Sequence, residues 1–213
     1  MSVWWRLVRF GFRLLYNDLA WTYDLVANVV SLGQWWSWQR TALPWLAGER
    51  VLELAHGTGH LQADLAAGGF APAGVDLSPA MGRLARARLR RQGAAWPLVR
   101  ADVRRLPFRA GAFDSLVSTF PAEFIVHPAT LAEAARMLPR GGRFVCVPNA
   151  ILRGMSPLVR FLEWLYRVTG QRVNVMELRD QTAARIASAG FTSRVETVQL
   201  PGSTATVVVL EKV

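Results

Sequence analysis

The sequence is poor in cysteine and histidine. Its single cysteine, Cys146, cannot form an intramolecular disulfide, and it excludes a zinc site built from several thiolates. The three histidines, His56, His60 and His127, lack the spacing of a zinc motif. We therefore predict no metal site. The sparse use of cysteine favours a cytoplasmic protein, with the inner face of the membrane as an alternative position.

Long uninterrupted apolar runs are also missing. No stretch reaches the roughly 18 to 20 apolar residues that a membrane-spanning helix requires. Arg6, Arg9 and Arg13 interrupt the segment that would form the hydrophobic part of a secretory signal. The sequence therefore predicts neither a membrane span nor such a signal.

Acidic residues are few relative to basic ones. The chain has 25 Lys and Arg against 15 Asp and Glu, a net charge of +10, and Lys212 is its single lysine. This balance favours acidic partners such as nucleic acid or an anionic membrane, but charge by itself reports on solubility and non-specific binding. Both interpretations stay open, although a nucleic acid partner is not expected.

Hydrophobic residues are plentiful, and their distribution divides the chain. With 213 residues and 52% hydrophobic content, the chain can bury a sizeable core. Residues 1–48 hold seven of the nine tryptophans and have helical spacing. We predict an N-terminal helical cap over 1–48 and a main domain over 49–213, with a lid insertion at about 150–178.

The first helix of this cap has a basic stripe. Arg6, Arg9 and Arg13 recur at helical spacing, and aromatic and aliphatic residues cover most of the remaining surface. Such a helix can lie in a membrane interface or pack its apolar side on the main domain. The sequence leaves both alternatives open.

Short apolar runs alternate with helical patterns from about residue 50. We predict strands at 51–54, 73–75, 98–99, 113–118 and 144–147, with helices at 60–67, 78–92 and 128–138 between them. Two more helices, at 157–169 and 178–189, precede a hairpin of 192–200 and 205–210, in which Pro201-Gly202 forms the turn. This alternation predicts βαβ units and a parallel sheet.

A glycine turn follows the first strand directly. Gly57 and Gly59 permit close approach of the backbone to a ligand, and amide groups at a helix start can hold an anion. Asp76 ends the second strand, where a carboxylate can accept both hydroxyls of a ribose. The layout therefore predicts a site for a nucleoside cofactor at the carboxyl ends of the strands.

Two cofactors use this layout. A dinucleotide site requires G-x-G-x-x-G, but Gln62 stands where the third glycine would be, which disfavours an NAD-dependent oxidoreductase. S-adenosylmethionine (SAM) has no pyrophosphate, and its zwitterionic methionine end suits the carboxylate of Glu53 together with the loop amides. SAM is the better match.

Five motifs in order resemble those of the class I SAM-dependent methyltransferases, in the small ubiquinone/menaquinone-biosynthesis-like group. They begin at Glu53, Gly74, Arg100, Phe113 and Leu138, and the second and third contain Asp76 and Asp102. The resemblance implies a Rossmann-like three-layer α/β/α sandwich with a seven-stranded, mostly parallel sheet and an antiparallel last strand. Ala55 departs from the pattern, because the family usually has its first glycine there, and we expect little cost if φ is negative.

The resemblance also implies a set of residues that bind SAM and its product, S-adenosylhomocysteine. In the family, Asp76 binds the ribose, Met81 covers the adenine, and Asp102 and Val103 lie beside the adenine amino group. The full predicted set is Glu53, Ala55, His56, Gly57, Gly59, Asp76, Leu77, Met81, Asp102, Val103 and Thr119.

Methyl transfer from a sulfonium is an in-line displacement that mainly requires positioning in a site closed to bulk water. A general base is needed only when the nucleophile is protonated near neutral pH, and the candidates near the strand ends are Glu123, His127 and Tyr23. The segment from Tyr16 to Asp24 resembles the family's N-terminal Tyr-Asp segment, which closes over the cofactor.

The acceptor side is predicted from aromatic content. Four residues after the fifth strand would line an apolar pocket with the N-terminal tryptophans: Phe161, Trp164, Leu165 and Tyr166. We predict a methyltransferase acting on a small hydrophobic acceptor. The alternatives are an oxidoreductase and a non-catalytic module of the same fold that binds an anionic membrane or nucleic acid.

Overall fold

The computed structural model describes residues 3–121, 123–170 and 175–213, and leaves the side chains of 3–5, 9, 123 and 175–181 undescribed. Its helices are α1 (Val3–Tyr16), α2 (Tyr23–Val30), α3 (Trp35–Arg40), α4 (His60–Ala67), α5 (Pro79–Arg91), α6 (Pro128–Met137), α7 (Pro157–Val168) and α8 (Val175–Ser188). Short 3-10 helices cover Ala20–Thr22, Leu43–Trp45 and Glu123–Val126. The strands are β1 (Arg50–Leu54), β2 (Ala71–Asp76), β3 (Leu98–Arg100), β4 (Ser115–Thr119), β5 (Arg143–Leu152), β6 (Phe191–Leu200) and β7 (Ser203–Lys212).

The seven strands form one sheet in the order β3-β2-β1-β4-β5-β7-β6. Strands β1 to β5 are all parallel to one another, and β7 is antiparallel to both β5 and β6. The predicted fold class is confirmed. From β1 the chain adds β2 and β3 on one side and then β4 and β5 on the other, so the strand order reverses between β1 and β4. Ligands bind at this position in open α/β sheets.

Two buried clusters show why the fold has three layers. Side chains alternate between the two faces of a strand. Val51, Val117 and Val145 therefore pack on one face, with residues of α2, α3, α4 and α7. Leu52 and Leu116 pack on the other face, with residues of α6 and α8. Since both faces are covered, the central strands are nearly continuous apolar runs.

The N-terminal tryptophans are part of this core. Trp35 is 6% exposed and Trp38 is 1% exposed, and the Trp38 Nε1 donates to Ser203 Oγ at 2.8 Å. Residues 35–45 therefore pack directly on β5 and β7. The boundary at residue 48 remains a prediction, and Arg9, Trp4 and Trp5 of the basic helix have side chains outside the described set.

The fifth strand is longer than predicted. It continues to Leu152, because β7 pairs with it beyond an irregularity between Cys146 and Asn149. This pairing is non-local, and the local apolar pattern of 144–147 does not show it. Residues 171–174, which fall within the predicted lid at 150–178, lie outside the described part of the chain.

Among the described residues, no helix is both long enough and apolar enough to cross a membrane. In the same residues, no group of three or more His, Cys, Asp and Glu side chains could hold a metal ion.

Candidate active site

A cavity of about 470 Å³ opens at the carboxyl ends of the central strands. This volume lies in the usual range of small-molecule sites. Turns after β1, β2, β3 and β4 form its floor. Tyr16 and Asn17 at the end of α1, and Tyr23 at the start of α2, form part of its wall. The predicted residues that line it are Tyr23, Ala55, Gly57, Asp76, Leu77, Met81, Asp102, Val103 and Thr119.

Asp76 braces the floor of the cavity. Its Oδ2 accepts the Gly57 backbone N–H at 2.9 Å, and its Oδ1 accepts that of Ser78 at 2.7 Å. A carboxylate has about four acceptor positions, so two remain for a ligand's hydroxyls. The Gly57 amide already donates to Asp76. It is therefore not free to meet the carboxylate of the methionine end of SAM, contrary to the expectation from the sequence.

Three predicted cofactor residues do not line the cavity. His56 is 5% exposed, and its Nδ1 lies 2.8 Å from the Gly57 oxygen. Gly59 has φ +81°, and a Cβ added there would lie 2.8 Å from the Cβ of Ala85. Its role is therefore the close approach of the α4 start to α5, rather than to a ligand.

The third of them, Glu53, lies buried below the floor at 2% exposure. Its Oε2 accepts a hydrogen bond from Gln62 Nε2 at 2.8 Å. Burial raises the pKa of Glu53 to about 8; Asp76 and Asp64 add to this, while the bond from Gln62 opposes it. Among the described residues, Gln62 Oε1 is buried and has no hydrogen-bond partner. It can therefore accept a hydrogen bond from the hydroxyl of a neutral Glu53 carboxyl.

The candidate bases lie in different surroundings. Tyr23 lines the cavity, and burial raises the pKa of its hydroxyl well above the usual range, so it is a proton donor at neutral pH. His127 is exposed, lies outside the lining, and accepts the Ala129 N–H at 3.1 Å as the cap of α6. The side chain of Glu123 lies outside the described residues.

The aromatic wall differs from the predicted one. Phe161 and Trp164 are each 55% exposed and do not line the cavity. Phe120 lines it instead, with its ring stacked on Trp35 at a centroid distance of 4.2 Å. Phe120 has φ +50°, a strained conformation of the kind found at functional sites. Sequence reasoning missed this role, since no local pattern marks a left-handed phenylalanine.

Comparison with known proteins fits this geometry. Residues 51–142 match a family model described as "Methyltransferase domain". The chain is 40% identical over 136 residues to a demethylmenaquinone methyltransferase of Beutenbergia cavernae, which covers 62% of this chain and 55% of that protein. It is 37% identical over 154 residues to a protein of the same name from Tropheryma whipplei, covering 70% and 63%. By sequence and by fold, the chain matches the class I SAM-dependent methyltransferases. These matches span somewhat more than half of the length of the two relatives.

A solved structure shows the same fold. Geranyl diphosphate C-methyltransferase from Streptomyces coelicolor superposes with a TM-score of 0.60 at 14% identity, covering 84% of this chain and 77% of that one. The resemblance inferred from the five sequence motifs is therefore confirmed.

One carboxylate ties α2 to the turn after β1 and to α4 and α5. Asp24 Oδ1 accepts from Thr58 Oγ1 at 2.6 Å, and its Oδ2 lies 3.0 Å from His60 Nε2 and 2.5 Å from Arg88 Nη2. The His60 ring also stacks on Trp36. His60 therefore holds the cap in place, and α2 carries Tyr23 to the cavity wall.

Asp102 has a partner that the sequence did not suggest. Its Oδ2 forms an ion pair with Arg104 Nη2 at 2.5 Å, and Arg104 also lines the cavity. Hydrogen bonds from Arg104 lower the pKa of Asp102 to about 2. Asp102 is therefore ionised, and a ligand amino group would share this carboxylate with the guanidinium.

Replacing Ala55 by glycine should stabilise the protein. Ala55 has φ +59°, contrary to the negative φ expected, and a left-handed residue other than glycine costs about 1 to 2 kcal/mol. The greater freedom of glycine in the unfolded chain offsets part of this gain. Thermal unfolding should show a higher midpoint. The control Ala66→Gly, in α4, should lower it, and a lower midpoint for Ala55→Gly would contradict the prediction.

Glu53→Gln should remove a pH dependence from the stability of the protein. The folded pKa of about 8 exceeds the model value of 4.5, so the folded state holds a proton that the unfolded state loses between these pH values. Stability from this group therefore falls as pH rises from about 4.5 to 8. Denaturant titrations at pH 5 and pH 8 give the free energy of unfolding of both proteins. The value for the variant minus that for wild type should be more positive at pH 8 than at pH 5. A difference independent of pH would refute this.

Proposed function

We propose that the protein transfers a methyl group from SAM to a small hydrophobic acceptor. The observation that carries the proposal is the cavity at the topological switch point. It joins a carboxylate floor at Asp76 to an aromatic wall at Tyr23 and Phe120. The curated relatives are named as methyltransferases, which supports the same reaction class.

The residues present fit SAM. A Cβ at Gly57 would meet nothing within 4 Å, so the backbone there is open to a ligand. Asp76 retains acceptor positions for ribose hydroxyls, while Met81 and Val103 offer apolar surface to an adenine ring. Bound SAM would supply an electrophilic methyl group on its sulfonium.

The acceptor side of the cavity is apolar and aromatic. Tyr23, Phe120, Pro121 and Phe124 line it. This surface suits a flat, apolar ring, and the relatives named for demethylmenaquinone support a quinone-like acceptor. Because Tyr23 stays protonated at neutral pH, it can hydrogen-bond an acceptor oxygen, and we propose an acceptor that ionises without help from this tyrosine.

Calorimetry with SAM, S-adenosylhomocysteine and NAD tests the cofactor. We expect micromolar affinity for the first two and no binding of NAD. Turnover with a reduced quinone lacking its ring methyl group, followed as release of S-adenosylhomocysteine, then tests the acceptor. Binding of NAD alone would favour the oxidoreductase. The oxidoreductase is not favoured, because Gln62 fills the third glycine position with its Nε2 bonded to Glu53 and to the Ala73 oxygen.

We further propose that α1 contacts an anionic membrane surface. Leu7 and Phe10 are 61% and 56% exposed, and the nearby Arg6 and Arg13 are exposed as well. Deleting residues 1–15 should reduce co-sedimentation with phosphatidylglycerol vesicles several-fold. Circular dichroism serves as the folding control, and unchanged partitioning of a folded variant would refute this contact.

A further inference from the structure

A second surface, away from the cavity lining, exposes apolar side chains on two helices that cover the same face of the sheet. On α2, Leu25 and Val29 are 65% and 59% exposed, and Leu32 follows at 41%. On α7, Phe161 and Trp164 are each 55% exposed, and their rings stack at 5.8 Å. Together with Arg160 and Arg167, these residues are called the α2–α7 face.

The two helices present this face on the same side of the molecule. Tyr166 Oη donates to the Val30 oxygen at 3.1 Å, which joins α7 to the end of α2. Ala27 and Leu162, on the buried sides of the two helices, belong to the same core cluster. Since both helices turn their buried sides to one core, their exposed sides point outward together.

Positive charge accompanies the apolar stripe. Arg160 and Arg167 are exposed on α7, and Arg153 is exposed just before it. Within the described chain, none of the three forms an ion pair. Aromatic and aliphatic side chains beside unpaired arginines are the composition of helices that lie in the interface of an anionic bilayer.

One residue of this face, Leu32, has a strained backbone. Leu32 has φ +53°, a conformation that costs a leucine about 1 to 2 kcal/mol and that asparagine or glycine adopts more cheaply. Its side chain is exposed, so packing in this chain does not repay the strain fully. Strain of this kind is expected where the residue serves a function.

We propose that the α2–α7 face docks on an anionic phospholipid bilayer. The helix that forms part of the cavity wall through Tyr23 would then lie against the lipid surface with its opposite side. This docking surface is separate from α1 and does not depend on the proposed methyl transfer.

Vesicle co-sedimentation of the full chain tests the proposal. Wild type should bind phosphatidylglycerol vesicles, and bind pure phosphatidylcholine vesicles much less. Arg160→Gln/Arg167→Gln should weaken binding about tenfold or more. The control Arg90→Gln/Arg91→Gln makes the same charge change at exposed positions of α5. Its vesicle affinity should stay within about twofold of the wild-type value, because salt screens charges far from the bilayer.

Leu32→Asn separates docking from folding. It should raise the thermal midpoint by relieving the left-handed strain and still weaken vesicle binding several-fold. Trp164→Phe should remove part of the tryptophan fluorescence that brominated lipids quench. Calorimetric SAM affinity should stay the same in all these variants, so the proposed methyl transfer is judged independently.

Three results would overturn the proposal. One is equal binding by wild type, Leu32→Asn and the arginine pair variant. Another is loss of all binding on deletion of residues 1–15 while the α2–α7 variants bind as wild type does, which would assign membrane contact to α1 alone. The third is a dimer that Phe161→Ser dissociates, with no vesicle binding, because a second copy would then cover this face.

Discussion

Asp76→Ala should weaken SAM binding by about 1 to 3 kcal/mol, the scale of lost hydrogen bonds to a charged group. Asp76 lines the cavity at the end of β2, where its free acceptor positions would meet the ribose hydroxyls. The same carboxylate holds the Gly57 and Ser78 amides. The variant should therefore also unfold at a lower temperature, and calorimetry must be done well below its midpoint.

Asp114→Ala is the matched control for this loss of bracing. Asp114 precedes β4 and does not line the cavity. Its Oδ2 accepts the backbone N–H of Arg50 at 2.9 Å, at the amino ends of β1 and β4, whereas the cavity lies at their carboxyl ends. Its removal should lower stability and leave the SAM affinity unchanged. If folded Asp76→Ala bound SAM as tightly as wild type, Asp76 would be removed from the proposed site.

Asp24→Asn should loosen the N-terminal cap and cost about 1 to 2 kcal/mol of stability, a figure reduced for solvent screening because the carboxylate is 31% exposed. The amide cannot balance Arg88, and it leaves Thr58 and His60 with a weaker partner. Because α2 carries Tyr23 to the cavity, SAM affinity should fall as well. Hydrogen exchange should quicken in residues 20–30.

The pH dependence gives this prediction a second readout. Burial favours the neutral form of Asp24, but hydrogen bonds from His60, Thr58 and Arg88 outweigh it and hold the pKa well below its usual range. A lowered folded pKa gives stability that is present above the unfolded value of about 3.9 and is lost as pH falls below it. The difference between wild type and variant should therefore be full at pH 7 and shrink below about pH 4.

Asp64→Asn is the control, because Asp64 also joins the N-terminal segment to α4. It pairs with Arg40 at 2.8 Å, but that guanidinium is 56% exposed. Exposed pairs contribute roughly 0 to 1 kcal/mol. If both variants changed exchange and SAM affinity equally, Asp24 would have no special part in docking the cap.

The order of motifs in the sequence is enough to locate the candidate site. Asp76 and Asp102 each follow a predicted strand, and the carboxyl ends of parallel strands meet at one edge of a sheet. Local pattern therefore places these residues together without tertiary information. The same reasoning placed Ala55, Gly57 and Thr119 at the cavity, since each also follows a strand.

Local pattern does not reveal where a side chain points. Glu53 and His56 stand beside lining residues in sequence but turn into the interior, and Gly59 serves the contact of α4 with α5. Phe161 and Trp164 have the spacing of a buried stripe, yet α7 presents them to solvent. A hydrophobic period shows that a helix has an apolar side, and the packing of the neighbouring elements decides which side is covered.

By itself, the sequence determined the fold class, the cofactor class and the edge of the sheet that holds the cavity, because these follow from strand-helix alternation and from residues at strand ends. Tertiary structure alone decided the reach of β5, the left-handed conformation of Ala55 and Phe120, and the bonding of Asp24 to α4 and α5. Each of these depends on contacts between residues far apart in the chain, and the free energy of such contacts is not encoded in any local pattern.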